Sequence, residues 1–412
     1  MKVCFETFGC RLNRAEALEM EAEYLAKGWE TTENHADADL FIVRGCSVTG
    51  RAEHDSLKLI EHLRSKYPNK RVIITGCLPS ATKPQSANNP NSPIQSINRK
   101  IEKSKNSPFQ VPTRTARAYL KVQDGCNGAC SFCIVPKFRG KSVSVPFQDV
   151  VAKARAFIDA GYREIVVTGC NLAQYHSDGH DLAELLTALA TMPEALSANA
   201  RFRLGSVEPG PVAMRLVETM AAHANICRYL HIPIQSGSDR ILQSMKRPYR
   251  ARDIEELAGA ARSAMPTVAL ACDVITGFPG ESEVDFIATE GMLRRLRFSK
   301  AHVFPYSERP GTVAAAMRAE MLVRETRRER AHAAARIADL ERGRFAQGFI
   351  GKTVEFVVED EKHMSGWSSE YLWCVANSSG GIDAKARAFP RKSLARMLVK
   401  SVDGHMLIGS LV

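Results

Sequence analysis

Residues Ala118-Tyr119-Leu120-Lys121-Val122-Gln123-Asp124-Gly125-Cys126-Asn127-Gly128-Ala129-Cys130-Ser131-Phe132-Cys133 decide the fold. A β-like run, Ala118–Val122, feeds directly into a loop whose cysteines are spaced C-x3-C-x2-C. Three thiolates this close together suit three irons of a 4Fe-4S cluster and leave the fourth iron free for a substrate or cofactor. A zinc knuckle needs a fourth ligand, and the nearest downstream imidazole, His176, stands too far along the chain for the usual spacing. Plain structural thiols are the remaining reading.

Downstream, β-like runs alternate with Ala- and Leu-rich amphipathic segments. The runs are Glu164–Thr168, Arg201–Gly205, Arg228–Pro233, Thr267–Ile275 and Lys300–Pro305. With the strand before the cysteine loop they make six parallel strands, hence an α/β barrel or partial barrel with its functional residues at the carboxyl ends of the strands. Those ends carry Thr168-Gly169, Ser206 and Glu208, Gln235-Ser236-Gly237, and Asp273 with Gly277 to Glu281. Singly each is a turn; together they suit a pocket for a ribose or an amino-acid moiety.

Upstream, Lys2–Phe8, Leu40–Arg44 and Arg71–Thr75 are β-like, and each runs into Gly-Cys: Gly9-Cys10, Gly45-Cys46 and Gly76-Cys77. The intervals between these cysteines match βαβ units, so in a parallel sheet all three thiols lie on one edge. Three thiolates would leave an open position on a metal or cluster. The alternative is three buried core thiols, since free cysteine is often buried. Cys4, inside a strand, reads as core.

Residues Ala81–Gln110 hold four Pro, five Ser and five Asn and read as a linker, with a short helix at Ile97–Lys105. Met317–Arg344 reads as a long helix carrying eight arginines and five acids, most of them a solvated face. Beyond Ile350, short runs at Thr353–Glu359, Tyr371–Ala376 and Met406–Ile408, with turns at Ser365-Gly366 and Ser378–Gly381, suggest a small all-β module. Lys352, Lys362, Lys385, Arg387, Arg391 and Lys392 are candidates to meet phosphates, and Trp367, Tyr371 or Trp373 to stack on bases, although any one of them, taken singly, reads more readily as a solvated charge or a core aromatic.

The chain has 412 residues, a formal charge of +11 and 11 cysteines. That length excludes a small disulfide-stapled module, and 45% hydrophobic residues exclude a disordered chain. The positive surplus favours a polyanionic partner. No secretory signal opens the sequence and no stretch reaches transmembrane length, so a cytoplasmic location without membrane contact is expected, where cysteines serve metals or catalysis.

These motifs resemble the radical S-adenosylmethionine (SAM) superfamily and, within it, the methylthiotransferases. CNGACSFC is similar to the superfamily's cluster loop, with Phe132 near the adenine of SAM. VVTGCN resembles the segment that holds the SAM amino group, and DVITGFPGE a strand that contacts its adenosine. GCRLN, CSVT, TGC, IVPKFRG, HIPIQSGSDRILQSMKR and HVFPYSERPGT resemble the methylthiotransferases. QDGC with HVFPYSERPGT looks most like the branch acting on N6-threonylcarbamoyladenosine in tRNA.

The resemblance implies an α/β fold: an N-terminal parallel α/β domain (1–80), a linker or reduced end of that domain (81–115), a central radical SAM partial (β/α)6 barrel (116–345) and a C-terminal all-β TRAM-like, OB-like domain (346–412). It implies two 4Fe-4S clusters, on Cys126, Cys130 and Cys133 and on Cys10, Cys46 and Cys77. SAM would be bound by Phe132, Thr168, Gly169, Ser206, Glu208, Gln235, Asp273 and Gly277, and RNA by Arg139, Lys352, Arg387 and Arg391. One electron would cleave SAM to methionine and a 5′-deoxyadenosyl radical, which removes hydrogen from C2 of the adenine; the second cluster would supply sulfur, and a second SAM the methyl group. The partners implied are the tRNA anticodon loop, an electron donor such as flavodoxin or ferredoxin, and a sulfur donor. The alternatives are the same chemistry on isopentenyladenosine or ribosomal protein S12, and a non-catalytic iron–sulfur regulator that binds RNA.

The sequence departs from the family pattern in four places. Arg44-Gly45 stands where relatives have Asn-Thr, Cys170 where they commonly have Val, and Ser142–Pro146 where they carry a Ser-Arg-rich run. Only 48 residues separate Cys77 from Cys126, so the last strand and helix of the first domain are expected to be reduced or absent.

Overall fold

The computed structural model describes residues 1–47, 50–78, 94–96 (backbone only), 111–112, 115–376 and 389–412. Strands β1 (Lys2–Thr7), β2 (Glu30–Thr31), β3 (Leu40–Gly45), β4 (Arg71–Gly76) and β5 (Ile94–Ser96) form one parallel sheet, ordered β2-β1-β3-β4-β5. Central β3 is buried along its whole length, as its apolar run requires when both faces are covered. The short connection to the cysteine loop still accommodates a fifth strand, reduced to three residues. The helix expected at Ile97–Lys105 lies outside the described residues.

Helix α1 (Arg11–Ala26) is buried on more than one side because it serves two bodies. Met20 packs with Val3, Phe5 and Leu40 of the sheet, while Ala15 and Leu18 pack with Tyr119 and Val166 of the next domain. Helix α2 (Gly50–Lys66) turns Ile60 and Leu63 onto the sheet and leaves its charges outside.

The central domain has the six expected strands: β6 (Ala118–Lys121), β7 (Glu164–Thr168), β8 (Arg201–Leu204), β9 (Tyr229–Gln235), β10 (Ala269–Thr276) and β11 (Lys300–Pro305). They form parallel sheets β8-β7-β6 and β9-β10-β11, joined by the bridges Phe202–Ile226 and Ser206–His231. Helices α3 (Val135–Arg139), α4 (Phe147–Asp159), α5 (Leu182–Thr191), α6 (Pro211–Ala222), α7 (Ala251–Ala264) and α8 (Glu283–Leu296) follow in sequence. Phe157, Leu186, Leu216, Leu257 and Leu293 from this ring meet Phe202, Leu230 and Leu270 of the strands in the largest core cluster. Strands β6 and β11 do not pair, so the barrel is open between them. Helix α1 lies along β6 on that open side, and α9 (Arg324–Gln347) packs against β10 and β11.

Helix α9 begins later than the Met317 expected from sequence. Residues Met317–Val323 instead form tight turns, because Met317 and Met321 pack beside Phe132, Phe278 and Tyr306, and the Glu320 carbonyl accepts from Gly280 N at 2.9 Å. Arg328 and Arg336 are exposed, as expected of a solvated face. Arg330 is buried between Glu281 (2.7 Å) and Glu283 (3.0 Å).

The C-terminal module is a closed five-stranded barrel of β12 (Thr353–Asp360), β13 (Ser365–Ser368), β14 (Trp373–Ala376), β15 (Leu394–Asp403) and β16 (Met406–Leu411), ordered β12-β13-β14-β16-β15. Ser365-Gly366, expected as a turn, starts β13: the glycine lets the Val357 carbonyl approach where a Cβ would overlap it. Ser378–Gly381 lies outside the described residues. β15 escaped the sequence reading, although its buried Ala395, Met397 and Val399 alternate with exposed Arg396, Leu398 and Lys400 as in a half-buried strand.

This module docks on the central barrel through one buried carboxylate. Glu164 accepts from Arg203 Nε (2.8 Å) and Arg201 Nε (2.8 Å) and lies 3.8 Å from Arg117. The same guanidiniums reach across: Arg201 donates to the Trp367 carbonyl (2.7 Å), Arg203 to those of Ser368 (2.7 Å) and Ser369 (2.9 Å), and Arg117 to Glu359 (2.7 Å). Burial would raise the Glu164 pKa, but Arg203 and Arg201 hold it far below the usual carboxylate range. Glu164→Gln leaves buried Arg203 without its carboxylate and Arg201 and Arg117 with only their contacts to Glu355 and Glu359, and is expected to cost about 3–5 kcal/mol of stability. Denaturant unfolding of the variant checks this, and an unchanged midpoint contradicts it.

Candidate active site

The N-terminal thiols sit where adjacent strands end. Cys10 caps α1 just after β1, and Cys46 and Cys77 follow β3 and β4. Gly9 takes φ +87°, and a Cβ there would lie 2.6 Å from Cys46 Sγ, so only glycine brings these two strand ends so close. Asn13 Nδ2 donates to the carbonyls of Phe8 (2.8 Å) and Gly45 (3.1 Å), and Cys77 N to that of Gly45 (3.0 Å). Cys10 is exposed, while Cys46 and Cys77 are buried.

The second trio occupies the loop after β6. Gly128 N points at Cys126 Sγ (3.2 Å), and Arg247 Nη1 donates to Cys130 Sγ at 3.0 Å. Burial drives the Cys133 thiol up to about 11; the Val135 amide opposes this, and Cys130 and Cys126 add to it. Buried thiols of this kind become thiolates when a cationic centre is bound among them.

Among the described residues, neither trio brings its three sulfurs within 4.8 Å of one another.

Arg139, at the end of α3, ties the two trios together. Its Nε donates to Cys77 Sγ (3.2 Å), Nη1 to Glu16 (2.9 Å) and Asp124 (3.0 Å), and Nη2 to Asn13 (2.9 Å). Lys121 adds contacts to Glu16 (2.9 Å) and Asp124 (3.1 Å). Arg139, expected to contact RNA, is half-buried and directs these donors at protein, because the helix after the cysteine loop ends against α1. Cys170, expected as a core thiol, is half-buried; its Sγ donates to Asp124 (3.5 Å) at this junction. Cys4, Cys227, Cys272 and Cys374 are core. Arg44 at the departure from Asn-Thr is also buried, paired with Glu16 and donating to Thr75 (3.4 Å).

Of the residues expected around SAM, Phe132 packs with Met245 and Phe278 beside the cysteine loop, and Thr168 and Gly169 end β7, with Gly169 against Gln123. Glu208 accepts from Arg247 Nη2 (2.5 Å) and Asn171 Nδ2 (2.9 Å), residues that also reach Cys130 Sγ (3.0 Å) and Cys126 Sγ (3.9 Å). Asn171 Oδ1 is buried with no partner, a free acceptor beside Cys126. Asn171 and Arg247 lie within the family-like stretches VVTGCN and SMKR, but the sequence gives no sign of their pairing with Glu208. Ser206 bridges to His231, and Gln235 closes β9 with φ +64°. Asp273 lies elsewhere: three residues short of the end of β10, it pairs with His231 (3.1 Å) inside the barrel. At Gly277 a Cβ would overlap Arg327, so this glycine admits α9.

Lys352 and Arg391 are exposed; Arg387 lies outside the described residues. Trp367 and Tyr371, expected to stack on bases, stack on each other (4.6 Å, 18°), and Tyr371 lies 4.8 Å from Tyr229. The arginine clamp on β13 turns them toward the floor of the central barrel. Trp373 meets Trp367 edge-on at 4.9 Å.

Two family models match the chain: the radical SAM superfamily over residues 120–293 and the uncharacterized protein family UPF0004 over residues 2–94. The threonylcarbamoyladenosine tRNA methylthiotransferase MtaB of Thermotoga maritima is 33% identical over 338 residues, covering 76% of this chain and 77% of that protein. This chain belongs to the radical SAM methylthiotransferase family. The MtaB of Bacillus subtilis is 29% identical over 408 residues, with 90% of each chain covered, and the tRNA-2-methylthio-N(6)-dimethylallyladenosine synthase of Chlorobium limicola is 31% identical over 396 residues, with 88% of each covered. The radical SAM methyltransferase TsrM of Kitasatospora setae shares the fold, with a TM-score of 0.51 at 13% identity, covering 76% of this chain and 75% of that one. As a radical SAM methylthiotransferase the chain uses a 4Fe-4S cluster and SAM. No helix among the described residues is long and apolar enough to cross a membrane.

Proposed function

We propose that this methylthiotransferase acts on tRNA, inserting a methylthio group at C2 of N6-threonylcarbamoyladenosine at position 37. Cys126, Cys130 and Cys133 hold the SAM cluster, and Cys10, Cys46 and Cys77 hold a second one. When bound, the first cluster supplies the electron that cleaves SAM, and the second supplies sulfur. The observation that carries this reading is the Arg139 contact to Cys77 Sγ from the helix that follows Cys133. It makes the sulfur-holding edge of the first domain and the barrel mouth one compartment, as a substrate attacked by both requires. A redox-sensing regulator has no use for such convergence.

Glu208, Asn171 and Arg247 form the polar wall beside Cys126 and Cys130. Asn171 Oδ1 accepts from the SAM ammonium, and Arg247 faces its carboxylate while donating to Cys130. Phe132, within the apolar cluster of Met245 and Phe278, covers the adenine and excludes water. Lys352, Arg391 and Arg387 take the RNA backbone. An external electron donor such as flavodoxin or ferredoxin, and a sulfur donor, complete the cycle.

Support for the threonylcarbamoyl branch comes from QDGC, from HVFPYSERPGT and from the names of the Thermotoga and Bacillus relatives; the Chlorobium relative keeps isopentenyladenosine as the second reading. The test offers the anaerobically reconstituted protein anticodon stem-loops bearing either modification and weighs the nucleosides by mass spectrometry. Methylthiolation of the threonylcarbamoyl RNA at least about 10-fold faster is expected; preference for the isopentenyl RNA overturns the branch.

A further inference from the structure

Beneath the cysteine-lined mouth, the barrel interior gathers cations around one phenol. The Tyr371 ring has Arg203 4.7 Å, Lys300 4.8 Å, Arg11 5.3 Å and Arg117 5.6 Å from its centroid. Arg203 and Arg117 are balanced by Glu164, but Arg11 and Lys300 make no ion pair with a carboxylate among the described residues. Asp273 pairs with His231, whose ring stacks on His302 at 5.6 Å, and also feels Arg11; Glu370, beside Tyr371, faces Arg201 and Arg203. Arg11 donates to the Leu204 carbonyl (3.2 Å) and hydrogen-bonds Tyr371, which leaves Lys300 as the desolvated cation without a hydrogen-bonded or carboxylate partner among the described residues; such a cation is costly and signals an anion that completes the site. Tyr371 is held at φ +64°, a strained conformation for an aromatic residue, by the clamp on β13. Burial raises the phenol's pKa, but Arg11 and Arg117 outweigh it and bring it down to about 7; a carboxylate bound beside the same cations favours the neutral phenol, which then donates to it. Lys300, Arg11 and Tyr371 are only half-buried.

We propose that Lys300 and Arg11, with Tyr371, bind the carboxylate of the threonyl group on the substrate adenine. This rests on the threonylcarbamoyl reading above and goes beyond it by naming the residues that select the modification. Cys10 and Arg11 are consecutive, so the sulfur-holding edge and the cationic floor are one residue apart. On an adenine, C2 and N6 project in well-separated directions. A base that presents C2 to the clusters can therefore send its N6 substituent away from them, into the barrel. An isopentenyl chain offers these cations nothing.

The test compares anticodon stem-loop RNA bearing N6-threonylcarbamoyladenosine with the same RNA in which the threonyl carboxylate is a carboxamide, reading kcat/KM for methylthiolation. One charge-assisted contact makes the wild type favour the carboxylate by about 10–100-fold. Lys300→Met brings that preference to within a few-fold, and Lys300→Arg keeps it. Lys300 is the residue to change because Arg11 adjoins Cys10. An active wild type indifferent to the carboxamide overturns the inference without any variant. So does a Lys300→Met enzyme slowed equally on both RNAs, since that marks a phosphate contact or a structural role. A wild type acting on isopentenyl RNA alone is a different result: it overturns the branch reading, and this inference with it.

Discussion

Cys130→Ala is expected to abolish 5′-deoxyadenosine formation from SAM, a loss well beyond the ~100-fold typical of a residue outside the ligand set. Cys130 stands between two other thiols on a short loop, so its loss leaves two ligands where three are needed to hold a cluster with one open iron. Its sulfur is also the one that Arg247 Nη1 contacts, and Arg247 in turn holds Glu208 (2.5 Å), so the change unseats the polar wall proposed for SAM. Chromatography of the reduced protein's products measures this directly. SAM cleavage at wild-type rate by the variant means that these cysteines do not hold the cluster.

Cys46→Ala separates the two chemistries. Cys46 is buried at the end of β3, its amide donating to Ser56 Oγ at 3.3 Å and its side chain packed against Gly9. Alanine fits that space, so the first domain keeps its fold while its thiol trio loses a member. The variant is expected to lose about half of the protein's iron, to keep SAM cleavage, and to insert no sulfur into RNA. Iron analysis and nucleoside mass spectrometry on one preparation check all three. Methylthiolated product from this variant refutes the sulfur-donating role of the first domain.

The strands and their terminal cysteines were legible in the sequence because they depend on local signals. Runs of Val, Ile and Phe set β3, β4 and β7, and Gly-Cys marks where three of the strands stop. The closed barrel at the C-terminal end was legible in kind, but β15 was passed over although its alternation of apolar and exposed residues was there to read. What stayed illegible was long-range pairing. Arg139 is one arginine among many in a basic chain, and nothing local tells that its donors go to Cys77 and Glu16 rather than to phosphate. Arg44, a departure from the family pattern, becomes intelligible only when Glu16 of α1 is seen between it, Lys121 and Arg139. Those cations hold the Glu16 carboxylate well below its ordinary range against the opposing effect of burial. Tyr371 is a case of the same kind: as an aromatic on a small β module it read either as core or as a base-stacking residue, and only the arginine clamp shows that it turns into the central barrel.

The central claim is that two open-iron clusters share one compartment. Mössbauer spectroscopy with iron quantification of the anaerobically reconstituted protein, before and after SAM is added, tests it most directly. The account predicts about eight irons per chain in two cubanes, with a single iron of one cubane changing its environment when SAM binds. About four irons per chain in a fully reconstituted sample, or SAM leaving every iron unchanged, would contradict it.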